Sequence, residues 1–282
     1  LRLVTRPDFE SNHRVPDWIA VILLGIIEGV TEFLPVSSTG HLQLAERWLQ
    51  EQSELFDIVV QCGAVLAVLV VFKTRIRSLL QEWRTPAARD YLAKFGIAFA
   101  LTTVGVLVAE RLELKVRKED VSAAAWAARV AWATLTGGIL FLAVEWWLRG
   151  KPGRDGISWA VAIAAGLAQV MAATFSGTSR SGATILFALA LGVARPAATE
   201  FSFLLGVPTL LAAGGYKFLS AVRHHQAENE KWGLVLLATA VAAVTAFAVV
   251  KWLLRFVQTH TFVAFGWYRI ILGALILIFA RS

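Results

Sequence analysis

The sequence predicts an all-α polytopic integral membrane protein built as an inverted-topology repeat, each half a re-entrant helix hairpin plus three transmembrane helices. Three observations predict it. Of the 282 residues, 57% are apolar and the mean hydropathy is +0.63. Several uninterrupted apolar runs approach the length that crosses a hydrocarbon core of about 30 Å. The order long run, Ser/Gly loop, half-length run and three more long runs occurs twice. A soluble fold would need helices apolar on every side at the heart of a much larger domain. A membrane β-barrel would alternate in polarity over segments of about ten residues, whereas "AVLAVLVVF" and "LLATAVAAVTAFAVV" are solidly apolar.

The chain begins with a charged stretch containing Arg2, Arg6, Asp8, Glu10 and Arg14, from which no cleavable signal is expected. The first apolar segment, 18–34, stops at Pro35, which disfavours helix in the residue before it. The loop "PVSSTGH" leads into a short arm at 40–49, which at 1.5 Å of rise per residue reaches only about 15 Å, half a bilayer. Such a piece turns back rather than crosses, and irregular backbone at that depth survives only inside protein or beside a wet cavity. Segments 56–72, 91–108 and 123–148 complete repeat one, about 18–148. Repeat two, about 157–280, runs through 157–175, the loop "SGTSRSGAT", a short arm at 183–194, and segments 199–222, 232–254 and 262–280. Residues 1–282 thus form a single membrane domain. Offset by 141 residues, "GIIEGVTEFLPVSSTG" falls on "GLAQVMAATFSGTSRS", with Glu28 on Gln169 and Ser38 on Ser179; at an offset of 143, Asp57 falls on Glu200. Three crossings separate the hairpins if 157–175 does not itself cross. Three is odd, so the halves are inverted and both loops meet near the midplane, where ligand sites form in such proteins.

The formal charge of +7 comes from bases in short connections such as "KTRIRSLLQEWRTPAARDYLAK" and "RLELKVRKED". Juxtamembrane bases set topology and meet anionic headgroups, so no nucleic-acid partner is expected. The densest such loop, with Lys73, Arg75, Arg77, Arg84, Arg89 and Lys94, is placed on the cytoplasmic side. The lone Cys62 excludes an intramolecular disulfide.

Glu28 and Glu32, four residues apart, share one helix face. Each ionised acid at bilayer depth costs about 2.5–3.5 kcal/mol, so something offsets the pair. That is either a headgroup or a basic partner such as Arg180 or Arg269, or else a divalent cation, Mg²⁺ or Ca²⁺, or proton transfer. Ser37, Ser38 and Thr39 suit the start of the next arm as N-caps. The second loop repeats them with Ser176, Ser179, Ser181 and Thr184 around Arg180. Two helix N-termini beside a guanidinium make an anion site. His41 follows Ser38 by three residues, near enough on a helical turn to act on its hydroxyl as general base or acid. His224, His225 and His260 are taken as solvated. For Glu200 and Arg269, mutual or local pairing is weighed against a catalytic role.

These residues resemble the undecaprenyl-diphosphate phosphatases, the integral-membrane bacitracin-resistance proteins of bacteria. "EGVTEFLPVSSTGH" is similar to that family's first signature and "SGTSRSGAT" to its second, PGxSRSxxT. "FDIVVQCGAVLAVLVVFK", "ATEFSFLLGVPTLLAAG" and "FGWYRIILG" extend the likeness over nearly all the hydrophobic chain. The resemblance implies a multi-pass protein of the bacterial inner membrane that hydrolyses C55 polyprenyl diphosphate to the monophosphate and inorganic phosphate, recycling the carrier lipid for peptidoglycan. It makes Ser38 the nucleophile and His41 its proton partner, gives Glu28 and Glu32 to metal or proton chemistry, and gives phosphate binding to Ser179, Arg180 and Thr184. Ser37, Thr39, Gln169 and Ser181 complete the expected substrate-binding set, with Glu28 and Glu32 as ligands of the divalent cation. Expected partners are the lipid substrate and membrane lipids, and a homodimer is allowed. Ser176 stands where the second signature has proline, which loosens the turn before Arg180. A polyprenyl-phosphate flippase or transporter is the competing function, since inverted repeats with half-helix termini serve transporters too. The acid-phosphatase-like lipid phosphatases also use SGH and SR elements, but need a histidine after the SR pair, and "SGATILFALALGVARP" has none.

Overall fold

The structure is a computed structural model that describes residues 15–45, 48–49, 52–114, 120–225, 228 and 230–280. The charged N-terminal stretch and the bases Lys115, Arg117 and Lys118 lie outside the described residues. Among the described residues all regular elements are helices: α1 (Asp17–Thr31), α2 (Ser38–Ala45), α3 (Glu54–Val71), α4 (Lys73–Gln81), α5 (Pro86–Arg111), α6 (Ala123–Trp147), α7 (Trp159–Thr174), α8 (Arg180–Ala190), α9 (Arg195–Arg223), α10 (Trp232–Thr259) and α11 (Val263–Ala280). Five of them, α3, α5, α6, α9 and α10, are long and apolar enough to cross a membrane.

The helix ends follow local chemistry. Ser53, Thr85, Ser122 and Ser158 cap α3, α5, α6 and α7 by accepting a backbone N–H three residues on, and Pro86 opens α5 where its missing N–H costs nothing. Between lipid-facing helices apolar burial supplies little drive, so close backbone approach has to hold the bundle. On α1, a Cβ at Gly25 would sit 2.6 Å from the Ala238 carbonyl oxygen and one at Gly29 2.6 Å from that of Ala242, so the two glycines let α1 lie directly on α10. Gly63 of α3 meets the Thr239 carbonyl in the same way. The remaining close pairs are α6 with α11, α5 with α7, and α3 with α9. A clip outside the candidate site ties Glu145 at the end of α6 to Arg195 at the start of α9 and, at 2.8 Å, to the Phe262 N–H before α11.

The sequence expectations differ from this arrangement at the short arms, at residues 73–81 and at helix ends, α5 opening at Pro86 rather than 91 and α10 closing at Thr259 rather than 254. The short arms start earlier than predicted, at Ser38 and Arg180 rather than at 40 and 183, because a serine one residue before each caps it. Residues 73–81, read as loop, form the exposed helix α4, which buries none of its residues and whose charged face hides its period from a search for apolar runs. Helix α9 begins at Arg195, not 199, and runs through Pro208; Thr209 donates its hydroxyl to Leu205 and Gly206 carbonyls in the turn that the proline disturbs.

The core gathers where the two loops meet. Phe33, Leu34 and Val36 of the first loop pack with Ile185 and Leu189 of α8 and with Phe203 of α9, whose ring stands edge-on to Phe33 at 5.2 Å. This packing sets the first loop against the start of α8, where Ser181 donates to the Leu34 carbonyl at 3.1 Å.

Candidate active site

Both loops end in the same device. Ser37 and Ser179 hold left-handed backbone, φ 74° and 68°, and each offers its Oγ to a glycine N–H three residues on, Gly40 at 3.4 Å and Gly182 at 3.1 Å. A non-glycine residue in that region costs about 1–2 kcal/mol, and such strain persists where surrounding contacts over-determine it. The caps therefore place Ser37 opposite Ser179. That corrects the sequence alignment by one residue: Ser38 is matched by Arg180, each the first residue of its short helix.

Those two residues meet on one carboxylate. Ser38 donates its hydroxyl to Glu32 Oε2 at 2.9 Å, and Arg180 Nη2 donates to Glu32 Oε1 at 3.1 Å, with the guanidinium 5.6 Å from the Phe33 ring centroid. Glu32 is 7% exposed. The basic partner weighed for the glutamate pair is thus present for Glu32. The guanidinium also rests against Gly206, where a Cβ would collide with it.

His41 does not reach Ser38. Its Nδ1 lies 2.7 Å from the Ser37 carbonyl oxygen and its Nε2 2.6 Å from the Tyr268 hydroxyl, with the two rings stacked at 5.5 Å. A carbonyl only accepts, so Nδ1 carries the proton and Nε2 accepts from the tyrosine. The serine proton therefore points to Glu32 rather than to the imidazole.

Beside Ser38 opens a cavity of about 250 Å³ whose walls include Glu28, Thr39, Gln43, Asp57 and Gln61. Glu28 is 4% exposed, and its Oε2 makes no hydrogen bond with the described residues. The other predicted binding residues turn inward. Ser181 donates to the Leu34 carbonyl at 3.1 Å, Thr184 to the Arg180 carbonyl at 2.9 Å, and Ser179 is occupied as the cap. Gln169 is buried on α7 and does not line this cavity.

Arg269 is completely buried beneath both loops. It donates to the carbonyls of Pro35 in the first loop, Gly177 and Thr178 in the second, and Ala133 and Thr134 of α6. Of the pairings weighed for Glu200 and Arg269, the mutual one does not form and the local one does for Glu200, which binds Arg75 at 2.8 Å. Sequence reasoning passed over Asp57, Gln61 and Tyr268. The first two share the i, i+4 spacing of Glu28 and Glu32. Tyr268 carries none, because it meets His41 across 227 residues of chain.

The carboxylate, hydroxyl and guanidinium are arranged for nucleophilic displacement at an anionic centre: an oxygen nucleophile, a base bonded to it, and a cation for the developing charge. Comparison with known proteins agrees with that chemistry. The family model for bacitracin resistance protein BacA matches residues 21–275. A Rhizobium etli protein named undecaprenyl-diphosphatase is 45% identical over 262 residues, covering 93% of this chain and 96% of the relative. Proteins of the same name from Xanthomonas axonopodis pv. citri and Xylella fastidiosa are each 45% identical, over 93% and 91% of this chain and 97% and 96% of the relatives.

Proposed function

The chain belongs to the bacitracin resistance protein BacA family, and we propose that it acts as its relatives are named, as an undecaprenyl-diphosphatase. It is a multi-pass membrane hydrolase that converts the C55 polyprenyl diphosphate to the monophosphate and inorganic phosphate. The observation that carries the reading is the shared grip of Ser38 and Arg180 on Glu32, which puts nucleophile, base and cation within one hydrogen-bonded group.

We infer the following steps, which the contacts of Ser38, Glu32 and Arg180 support. Ser38 Oγ attacks the terminal phosphorus in line with the bridging oxygen, and its proton passes to Glu32 Oε2. The phosphoanhydride bond breaks, its electron pair leaving on the polyprenyl monophosphate, while Arg180 stabilises charge on the equatorial oxygens. Water then attacks the phosphoserine; Glu32 returns the proton to the departing Oγ, and the proton from water passes to the Tyr268 hydroxyl oxygen as that hydroxyl gives its own proton to His41 Nε2. Glu32 thus replaces His41 as the base for Ser38, because the imidazole is turned towards Tyr268. Thr39, exposed at the cavity, contacts the diphosphate directly. Ser37, Ser179, Ser181, Thr184 and, from α7, Gln169 shape the binding loops from behind.

A divalent cation, Mg²⁺ or Ca²⁺, fits the cavity: Glu28 offers a buried oxygen with no hydrogen bond among the described residues, and Asp57 and Gln61 supply further hard donors beside it. Among the described residues no three His, Cys, Asp or Glu side chains form a closed cage, which suits an ion held largely by water and substrate phosphates. Glu32, already committed to Ser38 and Arg180, is the weaker of the two expected ligands. When bound, the ion neutralises diphosphate charge.

We place the protein in the bacterial inner membrane with its two halves inverted about the loops. The identical caps at Ser37 and Ser179 and the exchange of partners between α1 with α10 and α7 with α5 support that symmetry. Purified protein in detergent tests the function. Phosphate release from C55 diphosphate is expected for wild type, with loss of at least about 10³-fold in Ser38→Ala and Glu32→Gln. A Ser38→Ala protein that keeps substantial turnover rules out the phosphoserine, and a wild type that releases no phosphate with any divalent cation rules out the hydrolase.

A further inference from the structure

A second cavity, about 650 Å³, lies along α6. One face of α6 forms its length, with Trp126, Arg129, Thr136 and Leu140 spaced three, seven and four residues apart; Phe175 and Phe187 close it from the second loop and α8. Leu140, Phe175 and Phe187 are 45%, 61% and 38% exposed, so the groove opens sideways, where a membrane surrounds these helices. At 1.5 Å per residue, Trp126 to Leu140 spans about 21 Å, room for about four isoprene units in extended form.

We propose that this groove binds the diphosphate-proximal isoprene units of the substrate, an inference that rests on the hydrolase reading. Any apolar channel facing lipid fills with hydrocarbon; three features select the substrate's own tail. Trp126 lines both cavities, so the groove ends at a wall of the pocket that holds Ser38 and Glu28. Its second wall includes Phe175, Ser176 and Thr178, directly preceding Ser179 and Arg180, so a chain lying there leads to the guanidinium that receives the phosphate. Arg129 stands at the same end as Trp126, exposed and without an ion pair to any described residue, where the inner phosphate of a diphosphate would arrive. Units beyond the groove lie in lipid and add nothing to recognition.

The test compares kcat/KM for farnesyl diphosphate, three isoprene units, with that for isopentenyl diphosphate, one unit, on the same preparation. This ratio does not depend on the folded fraction. Wild type is expected to favour the longer compound by at least about 10-fold, since each added methylene in a fitted apolar pocket discriminates strongly. Thr136→Trp fills the groove from an exposed position and is expected to lower the ratio at least about 5-fold with the isopentenyl value nearly unchanged. Val244→Trp, exposed on α10 outside the groove, is expected to leave the ratio as in wild type. Should Thr136→Trp yield no protein, Leu140→Ala must lower the ratio instead. An unchanged ratio in the groove variants, or a wild type that cleaves both compounds equally well, overturns the groove alone. A wild type that releases phosphate from neither overturns the hydrolase reading beneath it.

Discussion

Replacing Arg269 tests whether the two loops are held in register by one guanidinium. The side chain is fully buried and donates five hydrogen bonds, at 3.0–3.4 Å, all to backbone carbonyls. Ala133 and Thr134 lie within α6, where their carbonyls already accept helical bonds, so their loss matters little. Pro35, Gly177 and Thr178 lie in the loops, and the guanidinium is the partner that brings them together. Gly177 also accepts the Thr134 hydroxyl at 3.2 Å, so two loop carbonyls, Pro35 and Thr178, lose their donor. At about 1 kcal/mol or more each, Arg269→Gln is expected to destabilise the protein by about 2 kcal/mol, a fall in Tm of about 4–8 °C for a chain of this size. Arg269→Lys keeps the charge, but a single ammonium cannot reach three elements at once.

Catalysis is expected to suffer more than stability. Arg180 follows Thr178 by two residues and Ser38 follows Pro35 by three, so slack in these carbonyls moves the nucleophile and the cation relative to each other. A misplacement of about 1 Å lowers turnover about 10²-fold. Thermal unfolding in detergent and phosphate release, measured on Arg269→Gln and Arg269→Lys, check both numbers. Variants with Tm within 2 °C of wild type and kcat within about twofold would refute the claim that this residue fastens the loops.

Two further outcomes follow from contacts around the site. In Gly206→Ala the new methyl occupies the place of the Arg180 guanidinium, which as a flexible chain end swings off Glu32; kcat/KM is expected to fall about 10–100-fold with little change in Tm, checked by phosphate release and thermal unfolding. Tyr268→Phe keeps the stack on His41 but removes the hydroxyl bonded to Nε2, and kcat is expected to fall about 3–10-fold with KM unchanged, in steady-state assays.

The architecture was legible in the sequence where one physical constraint dominated. Apolar runs and their lengths marked the long helices, and the costly acids and loop serines marked residues that the fold gathers around Ser38 and Arg180, because polar groups at bilayer depth stand out against an apolar ground. What stayed hidden depended on partners distant in the chain. The distance from Ser38 to His41 suggested a hydrogen bond, but Tyr268, from the last helix, takes the imidazole instead, and nothing near residue 41 announces it. Arg269 looked like half of an ion pair because charge is expected to seek charge. Five carbonyls satisfy it, and carbonyls are present at every residue, so no sequence pattern could have named them. Asp57 and Gln61 share the spacing of Glu28 and Glu32, but one acid and an amide in an apolar helix are a weaker signal than two acids.

The one-residue error in aligning the halves leads to a last prediction. Matching serine to serine set Ser38 on Ser179, but cap geometry sets Ser37 there, so the first residue of the short helix carries a hydroxyl at Ser38 and a guanidinium at Arg180. If left-handed backbone at the caps is what aims those two side chains, glycine, which adopts it freely, must serve there better than alanine, which bears the strain and lacks the capping oxygen. Glycine forfeits the cap but removes a strain of about 1 kcal/mol, whereas alanine keeps the strain and loses about 0.5–2 kcal/mol of capping. Ser37→Gly and Ser179→Gly are thus expected within about 0.5 kcal/mol of wild-type stability, with activity largely kept, and the alanine variants about 1 kcal/mol or more below them. Unfolding and phosphate release measured on the four proteins decide it. Alanine tolerated as well as glycine at both positions would mean that the caps do not aim Ser38 and Arg180, and that the loops owe their shape to Arg269 and the Phe33 packing instead.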